Sequence, residues 1–213
     1  MRSCTVHSYK IVRAPVNSKR ENPRRNEILE ATLRLIGEGG VNSVTHRAVA
    51  EEAGVSLAST TYYFDSKSAL LEEALELMIA RSIESVRRHT TSAPKISQPE
   101  LVDRIVAFAG AQLNDPLAPL TAQYELMLEA GRAEYLRPLA HRWTIAYMDG
   151  FRHLVQSAGL PRPDVAADVI MNFVEGALLD QTTTPSDDFL DDYLRPRLTD
   201  LVRVWAKATP RRG

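Results

Sequence analysis

The chain has 213 residues, of which 44% are hydrophobic, and 26 basic residues nearly balance 27 acidic ones for a formal net charge of −1. Its single cysteine, Cys4, excludes an intramolecular disulfide and a zinc site built on paired thiolates, as is usual in a reducing cytosol. No apolar run approaches the roughly 18 residues needed to cross a bilayer, and the N-terminus lacks the apolar core of a signal peptide. We therefore expect a cytoplasmic protein without a membrane partner, long enough for a small head on a larger body.

The beginning of the chain is strongly basic although the chain as a whole is not. Against Glu21 alone, the first 25 residues contain Arg2, Lys10, Arg13, Lys19, Arg20, Arg24 and Arg25, for a segment charge of +6. We predict that residues 1–22 form a disordered basic arm, which could follow a phosphate backbone or enter a minor groove. The alternatives are a tail that only keeps the chain soluble, or a start codon assigned too far upstream.

The first helix is predicted from about Pro23, with Asn22 as its cap and proline at its tolerated first position, to the Gly39-Gly40 pair. A second helix begins after Thr45, a good N-cap. Gly54 can adopt the positive φ that ends this helix. Ser56 then caps a third helix, so the pattern predicts two short helices joined by a tight turn.

The third helix, from Leu57 to about Phe64, has the properties of a helix that enters a DNA groove. Four small residues would let it lie close in a major groove about 12 Å wide, where hydroxyls can bond base edges: Ala58, Ser59, Thr60 and Thr61. Lys67 follows at the start of the next helix, where a cation opposes the helix dipole and so favours an external anion such as a DNA phosphate. The hydroxyls of Tyr62 and Tyr63 could reach the same backbone.

These residues carry a family resemblance. The pattern Gly54-Val-Ser-x-x-x-x-Thr-Tyr-Tyr-Phe-x-Ser-Lys-x-x-Leu-Leu71, preceded by Ile28-Leu-x-Ala-Thr-x-x-Leu-Ile36, resembles the TetR family of bacterial transcriptional regulators over about 23–71. The resemblance implies an all-α homodimer of about nine helices. It also implies a three-helix helix-turn-helix DNA-binding head over 23–67 and a C-terminal ligand-binding and dimerisation body over 68–213.

Carried over by position, the resemblance makes Thr45 and Arg47 phosphate contacts, and Tyr62 and Lys67 clamps on the DNA backbone. Position 57 is often polar or basic in the family but is leucine here, and position 58 is alanine instead of glycine. Base reading would then depend on Ser59, Thr60 and contacts with thymine methyls. The full predicted DNA-binding set is Thr45, Arg47, Ser56, Leu57, Ala58, Ser59, Thr60, Thr61, Tyr62, Tyr63 and Lys67.

Helical periodicity dominates the rest of the chain, and we predict helices at about 66–89, 100–113, 117–130, 133–158, 164–181 and 187–207. The last two carry more apolar surface than one core-facing stripe requires, which indicates a partner helix pair. With the resemblance, this predicts a homodimer built as a four-helix bundle. The alternative is a helix pair buried within the monomer.

A small-molecule effector site is predicted among large aromatic and polar residues of the body, although ordinary core packing would use the same residue types. The candidates are Phe108, Gln112, Tyr124, Met127, His141, Trp143, Tyr147, Phe151, Asn172 and Glu175.

The sequence offers no motif for catalysis. The five histidines have no metal-ligand spacing, and neither a phosphate-binding glycine loop nor a nucleophile elbow is present. We therefore expect no enzyme activity, metal or cofactor. The preferred function is a ligand-responsive repressor that binds a palindromic operator as a homodimer and is released by a small molecule. An activator, a ligand-independent regulator and a helical protein-interaction adaptor remain as alternatives.

Overall fold

A computed structural model describes residues 22–90, 95–115 and 119–207, and these ranges are helical without a strand. The α-helices are α1 Pro23–Gly39, α2 His46–Glu52, α3 Leu57–Tyr63, α4 Lys67–Thr90, α5 Gln98–Leu113, α6 Leu120–Arg132, α7 Arg137–Ser157, α8 Pro163–Thr183 and α9 Arg195–Ala206. The all-α class is confirmed. The arm predicted over 1–22 lies outside the described residues except for Asn22.

The helix caps in the head, α1 to α3, are those that the sequence predicts. Asn22, Thr45 and Ser56 each adopt an extended conformation before α1, α2 and α3, and each side chain accepts a hydrogen bond from a backbone N–H in the first turn. These bonds satisfy donors that a helix start otherwise leaves free. Gly54 turns the chain between α2 and α3 with a φ of 63°, a conformation that glycine adopts without a Cβ penalty.

The long helix α4 belongs to the cores of both the head and the body, which consists of α5 to α9. It packs against α1 on the head side and against α5 and α7 on the body side. Two ion pairs, Arg25 with Glu73 and Arg81 with Glu30, also join α1 to α4. The predicted boundary between the head (23–67) and the body (68–213) therefore falls at the start of α4, although α4 packs against α1 of the head.

A second contact joins the head to the body at the start of α6. A Cβ added to Gly37 in α1 would lie 3.0 Å from Oγ1 of Thr121 and 3.1 Å from Cβ of Pro119. A Cβ on Gly40 would lie 3.3 Å from a carboxylate oxygen of Glu125. The two glycines thus allow α1 and α6 to approach more closely than residues with side chains would.

Some helix limits differ from the prediction because short segments of other geometry precede the regular helices. A 3₁₀ turn, Glu134–Leu136, comes before α7, and Pro138 occupies the first turn of that helix. Phe189–Leu194 forms a π-helix before α9. Its wider turn brings residues five apart toward one face, so Phe189 and Leu194 are both buried. None of the helices in the described ranges combines the length and apolar character needed to span a bilayer.

Candidate functional sites

The front of the head presents a surface built from three helix starts. Thr45 and Arg47 are exposed at the start of α2, and the side chains of Leu57 and Tyr62 on α3 are 46% and 73% exposed. Ala58 and Thr61 are exposed on the same helix. Leu57 and Tyr62 are therefore available to an external partner on the same exposed side of α3 as Ala58 and Thr61.

Thr60 lies elsewhere, which argues against the predicted role in reading bases. It is fully buried, and its hydroxyl donates to the carbonyl oxygen of Leu57 at 2.8 Å and to that of His46 at 3.3 Å. The second bond crosses to α2. Thr60 therefore fixes α3 against α2, because its position one turn after Ser56 faces the interior of the head.

Several other predicted contacts have partners inside the head. The hydroxyls of Ser56 and Ser59 bond each other at 2.8 Å, and the hydroxyl of Tyr63 accepts from the side-chain amide of Asn22 at 2.9 Å. Tyr62 contacts the Tyr63 ring edge to face, with centroids 5.1 Å apart. Ser56 and Ser59 still lie at the front, whereas Tyr63 is tied to the start of α1.

The start of α4 lies beside this surface. Ser66 caps the helix by accepting from the backbone N–H of Ala69 at 3.1 Å, and Lys67 is partly exposed at its first position. Arg25, which contributes to the basic charge of the first 25 residues, lies in α1 and contacts other parts of the head. Its guanidinium lies over the Phe64 ring, 5.3 Å from the centroid, and pairs with Glu73, so it stabilises the junction of α1, α3 and α4.

The body contains a carboxyl group held by two tyrosines. Tyr147 donates its hydroxyl to Oε1 of Glu175, and the Tyr124 hydroxyl lies 3.5 Å from Oε2 and 3.1 Å from the Glu175 carbonyl oxygen. The three residues come from α7, α8 and α6. Burial is the main cause that raises the pKa of Glu175 above its ordinary value, while the two tyrosine hydrogen bonds lower it. Burial, followed by the Glu175 charge, also raises the pKa of both tyrosines.

Aromatic rings pack around Tyr147, one of the two tyrosines of this group. Phe108 on α5 meets Tyr147 at 5.7 Å and Phe151 at 4.9 Å between centroids, and Trp143 lies 4.9 Å from Tyr147. Such edge-to-face and tilted pairs are the favoured arrangements of buried rings. We call the set Phe108, Tyr124, Trp143, Tyr147, Phe151 and Glu175 the aromatic-carboxyl cluster.

Two glutamines adjoin the cluster along its helices. Gln112 lies one turn after Phe108, and its amide lies 3.5 Å from Oε1 of Gln123, which precedes Tyr124. Both glutamines are buried, and Nε2 of Gln123 has no hydrogen-bond partner within the described part of the chain. An unpaired buried amide is costly, so Gln123 is a candidate ligand contact in addition to the ten predicted residues.

Not every predicted ligand residue joins the cluster. His141 and Asn172 are exposed on α7 and α8, because their positions fall on the outer faces of these helices. Met127 is partly buried and packs against the core. Ser82 was also missed: its hydroxyl accepts from the indole N–H of Trp143 at 2.9 Å, which ties the cluster to α4. A lone serine on an apolar helix face gives no sequence signal for that role.

The outer face of α8 carries exposed apolar residues. Val165, Val169 and Leu179 are 41%, 38% and 46% exposed, and Gly176 between them has no atom within 4 Å of an added Cβ. On α9, Val204 is 69% exposed. A partner was predicted from the apolar surface of the last two helices, but many of their apolar residues are buried within the monomer, namely Ile170, Val174, Ala177, Leu178, Phe189, Leu194, Leu198 and Val202.

Two sequence families match the chain, and together they cover most of it. Residues 28–85 match the family described as bacterial regulatory proteins, tetR family. Residues 97–204, about half of the chain, match the tetracyclin repressor-like C-terminal domain. The first match contains α2, α3 and most of α1 and α4, and the second contains the aromatic-carboxyl cluster.

Curated relatives match over part of their length. The HTH-type transcriptional repressor KstR of Rhodococcus jostii is 35% identical over 117 residues, which cover 54% of this chain and 53% of the relative. The HTH-type transcriptional regulator BetI of Yersinia pestis is 31% identical over 94 residues, 43% of this chain and 47% of the relative. The chain thus spans about half the length of these curated relatives.

Solved structures match over most of both chains. A TetR-family member from Streptomyces coelicolor A3 has a TM-score of 0.63 at 30% identity, over 85% of this chain and 99% of the other. The multidrug binding protein EbrR, complexed with imidazole, has a TM-score of 0.56 at 30% identity, over 85% and 96% of the two chains. With both halves of its sequence and its helical order matched in this way, the chain belongs to the tetR family of bacterial regulatory proteins.

Proposed function

We propose that this protein is a transcriptional repressor that binds a palindromic operator as a homodimer in the cytoplasm and is released by a small molecule. The observation that best supports the proposal is the exposed front of α3, flanked by Arg47 and Lys67. Cations and helix starts position a protein on phosphates, while exposed groups on the inserted helix read bases. The family relatives named as regulators support the same function, and it requires no catalysis, metal or cofactor.

In this proposal the front of the head divides into two kinds of contact. Thr45, Arg47 and Lys67 bind phosphates, with Tyr62 as an added hydroxyl donor. Leu57, Ala58 and Thr61 face the base edges, where an apolar pair favours thymine methyl groups. Ser56 and Ser59 offer their hydroxyls at the rim of the same surface.

The DNA contacts are tested by removing one cation at a time. We expect Arg47→Ala and Lys67→Ala to weaken binding to all sequences about equally, each reducing the salt slope of log affinity by about 1. Fluorescence anisotropy with DNA from the chain's own promoter region, at several salt concentrations, measures both effects. Arg132→Ala, which removes an exposed cation from α6 in the body, is the matched control. An unchanged slope in both head variants would reject this surface.

The effector part of the proposal rests on how the cluster connects to the head. Tyr124 lies on α6, whose start packs against Gly37 in α1, and Trp143 bonds Ser82 on α4. A ligand that binds one arrangement of these helices more tightly shifts the population toward it. Because half-sites lie about 34–36 Å apart, a small rotation of α1 and α4 misaligns one head and releases the operator. EbrR, a multidrug binding protein, lends support as a relative that takes small molecules.

Release is tested by operator affinity with and without compounds that raise the melting temperature. A ligand that binds only the folded state stabilises it by mass action, so a thermal-shift panel finds candidates without assuming their effect on DNA. We expect a stabilising compound to lower operator affinity at least tenfold. Transcription in vitro then separates repression from activation: higher transcript levels with protein present would favour an activator.

The dimer is proposed to form through the outer faces of α8 and α9. Val165, Val169 and Leu179 form an apolar row on α8, and Val204 extends it on α9. Gly176 lets a partner helix approach closely. Two copies of this surface would pack as an isologous four-helix bundle.

A further inference from the structure

The carboxyl group of Glu175 is unusual because no cation accompanies it. Among the described residues its oxygens contact only tyrosine hydroxyls, and no basic side chain forms an ion pair with it. Two other carboxylates that reach a neighbouring helix do have such partners, in the pairs Arg34 with Glu52 and Arg142 with Glu76. Glu175 is partly buried, and a carboxylate that loses part of its hydration without gaining a cation is less favourable in its charged form.

Two tyrosines contact Glu175, and the rings of the other cluster members pack against Tyr147 beside it. The face of an aromatic ring carries negative charge in its quadrupole, so a cation near several faces and one carboxylate is stabilised by all of them. We propose that the aromatic-carboxyl cluster is a binding site for an organic cation, an amine or quaternary ammonium with an apolar body. This inference rests on the proposed ligand-responsive function and names the chemical class of its effector.

The geometry indicates which side of the carboxyl receives the cation. Tyr147 is buried and donates to Oε1, whereas Tyr124 is only partly buried and its hydroxyl lies 3.5 Å from Oε2. We expect a cation to bind at Oε2 and displace Tyr124, whose contact is the weaker of the two. A cation that turns the Tyr124 hydroxyl away from Glu175 also breaks its bond to the Glu175 carbonyl oxygen, and this change acts on α6. The unpaired buried amide of Gln123, which precedes Tyr124 on α6, suits a hydrogen-bond acceptor on the ligand.

Charge recognition is tested with ligands that share an apolar body. The probes are phenylalkylammonium and phenylalkyltrimethylammonium ions of increasing chain length, with the corresponding phenylalkanols and phenylalkanoates as neutral and anionic counterparts. Titration calorimetry on the DNA-free protein measures binding. We expect at least one cation to bind ~10-fold more tightly than its neutral counterpart, and the anions to bind least. Equal affinity for cation and alcohol, or no binding of any cation in the series, would overturn the proposal.

A pair of variants assigns the effect to Glu175. Glu175→Gln keeps the size and hydrogen-bonding capacity of the side chain but removes its charge, so we expect cation affinity to fall ~10-fold while alcohol affinity is unchanged. Glu84→Gln makes the same change at an exposed position of α4 and leaves both affinities unaltered. An equal loss for cation and alcohol in Glu175→Gln would mean that the residue only maintains the shape of the site. That result would contradict charge recognition.

The calorimetric measurements of cation binding do not depend on the DNA-binding assay. If cations bind at Glu175 and the operator stays bound, the site stands and the release mechanism fails. If the operator is released by neutral compounds while every cation fails to bind, the repressor function stands and the cation site is wrong.

Discussion

At the residue scale, Glu175 links stability to pH in a direction opposite to most carboxylates. Burial raises its pKa above the ordinary value of 4.5, so as pH rises the unfolded chain loses this proton before the folded one does. The contribution of Glu175 to stability is therefore greatest below its unfolded pKa and decreases as pH rises toward its folded pKa.

The substitution Glu175→Gln removes the loss of stability that the ionisation of Glu175 causes as pH rises. We expect the free energy of unfolding of the variant to match that of the wild type below pH 4.5 and to exceed it increasingly above that value, until the folded pKa is passed. Urea unfolding at a series of pH values measures the difference. The titratable groups that face Glu175 are Tyr124 and Tyr147, and His89 contacts Phe108, which packs on Tyr147. Glu84→Gln is measured in parallel as the exposed control. Parallel curves for wild type and Glu175→Gln would contradict the prediction.

Two neighbouring threonines on α3 allow the stability of the head and its proposed DNA binding to be tested separately. Thr60→Val leaves the buried volume nearly unchanged but removes the bonds to the carbonyl oxygens of Leu57 and His46, so we expect a loss of about 1 kcal/mol in the free energy of unfolding. Thr61→Val changes an exposed side chain and should alter operator affinity with little effect on stability. Chemical denaturation and anisotropy, run on both variants, compare the effects. The reverse pattern would return Thr60 to the DNA-contacting set.

At the element scale, the crossing of α4 and α7 depends on a glycine. A Cβ on Gly150 would overlap Cγ1 of Val86, a buried residue with no room to move away. We expect Gly150→Ala to lower the free energy of unfolding by about 1–3 kcal/mol. Gly131→Ala on α6, where no atom lies within 4 Å of the added Cβ, should instead raise it by about 0.5–1 kcal/mol. Equal stability of the two variants in thermal or urea unfolding would show that the crossing yields easily.

The elements also differ in how far the sequence predicts them. Thr45, Gly54 and Ser56 act through bonds within their own turns, so local spacing was enough to predict the head. The pairing of Tyr124 with Glu175 joins residues 51 positions apart and depends on how α6 and α8 pack, which periodicity does not encode. For the same reason His141 was assigned to a site from which its helix face excludes it. Thr60 is buried because α3 packs against α2. In a helix of only two turns, one position in each turn must face that neighbour.

At the scale of the whole molecule, α4 and α6 provide two separate connections between the body and the head. The first is continuous chain with ion pairs to α1, and the second is the close packing of Thr121 and Pro119 on Gly37. A body rearrangement that leaves one connection fixed must then rotate the head about it. This arrangement suits a change in spacing between two heads better than a change within one head, because α1 packs against α2 and α2 against α3.

In the proposed dimer, such a change acts only if the two heads are held together, so we expect the outer face of α8 to control operator affinity. Val169→Glu places a charge on the apolar row of α8, where a partner helix would have to bury it, and we expect monomers that remain folded. Losing the second half-site should weaken binding to a palindromic operator by at least ~100-fold, while a single half-site binds as weakly as before. Leu128→Glu, which alters an equally apolar exposed position on α6, should remain dimeric with unchanged affinity. Analytical ultracentrifugation and anisotropy test both variants. If Val169→Glu stays dimeric, or if Leu128→Glu dissociates instead, the interface lies on a different face and the spacing of the heads must be derived from that face.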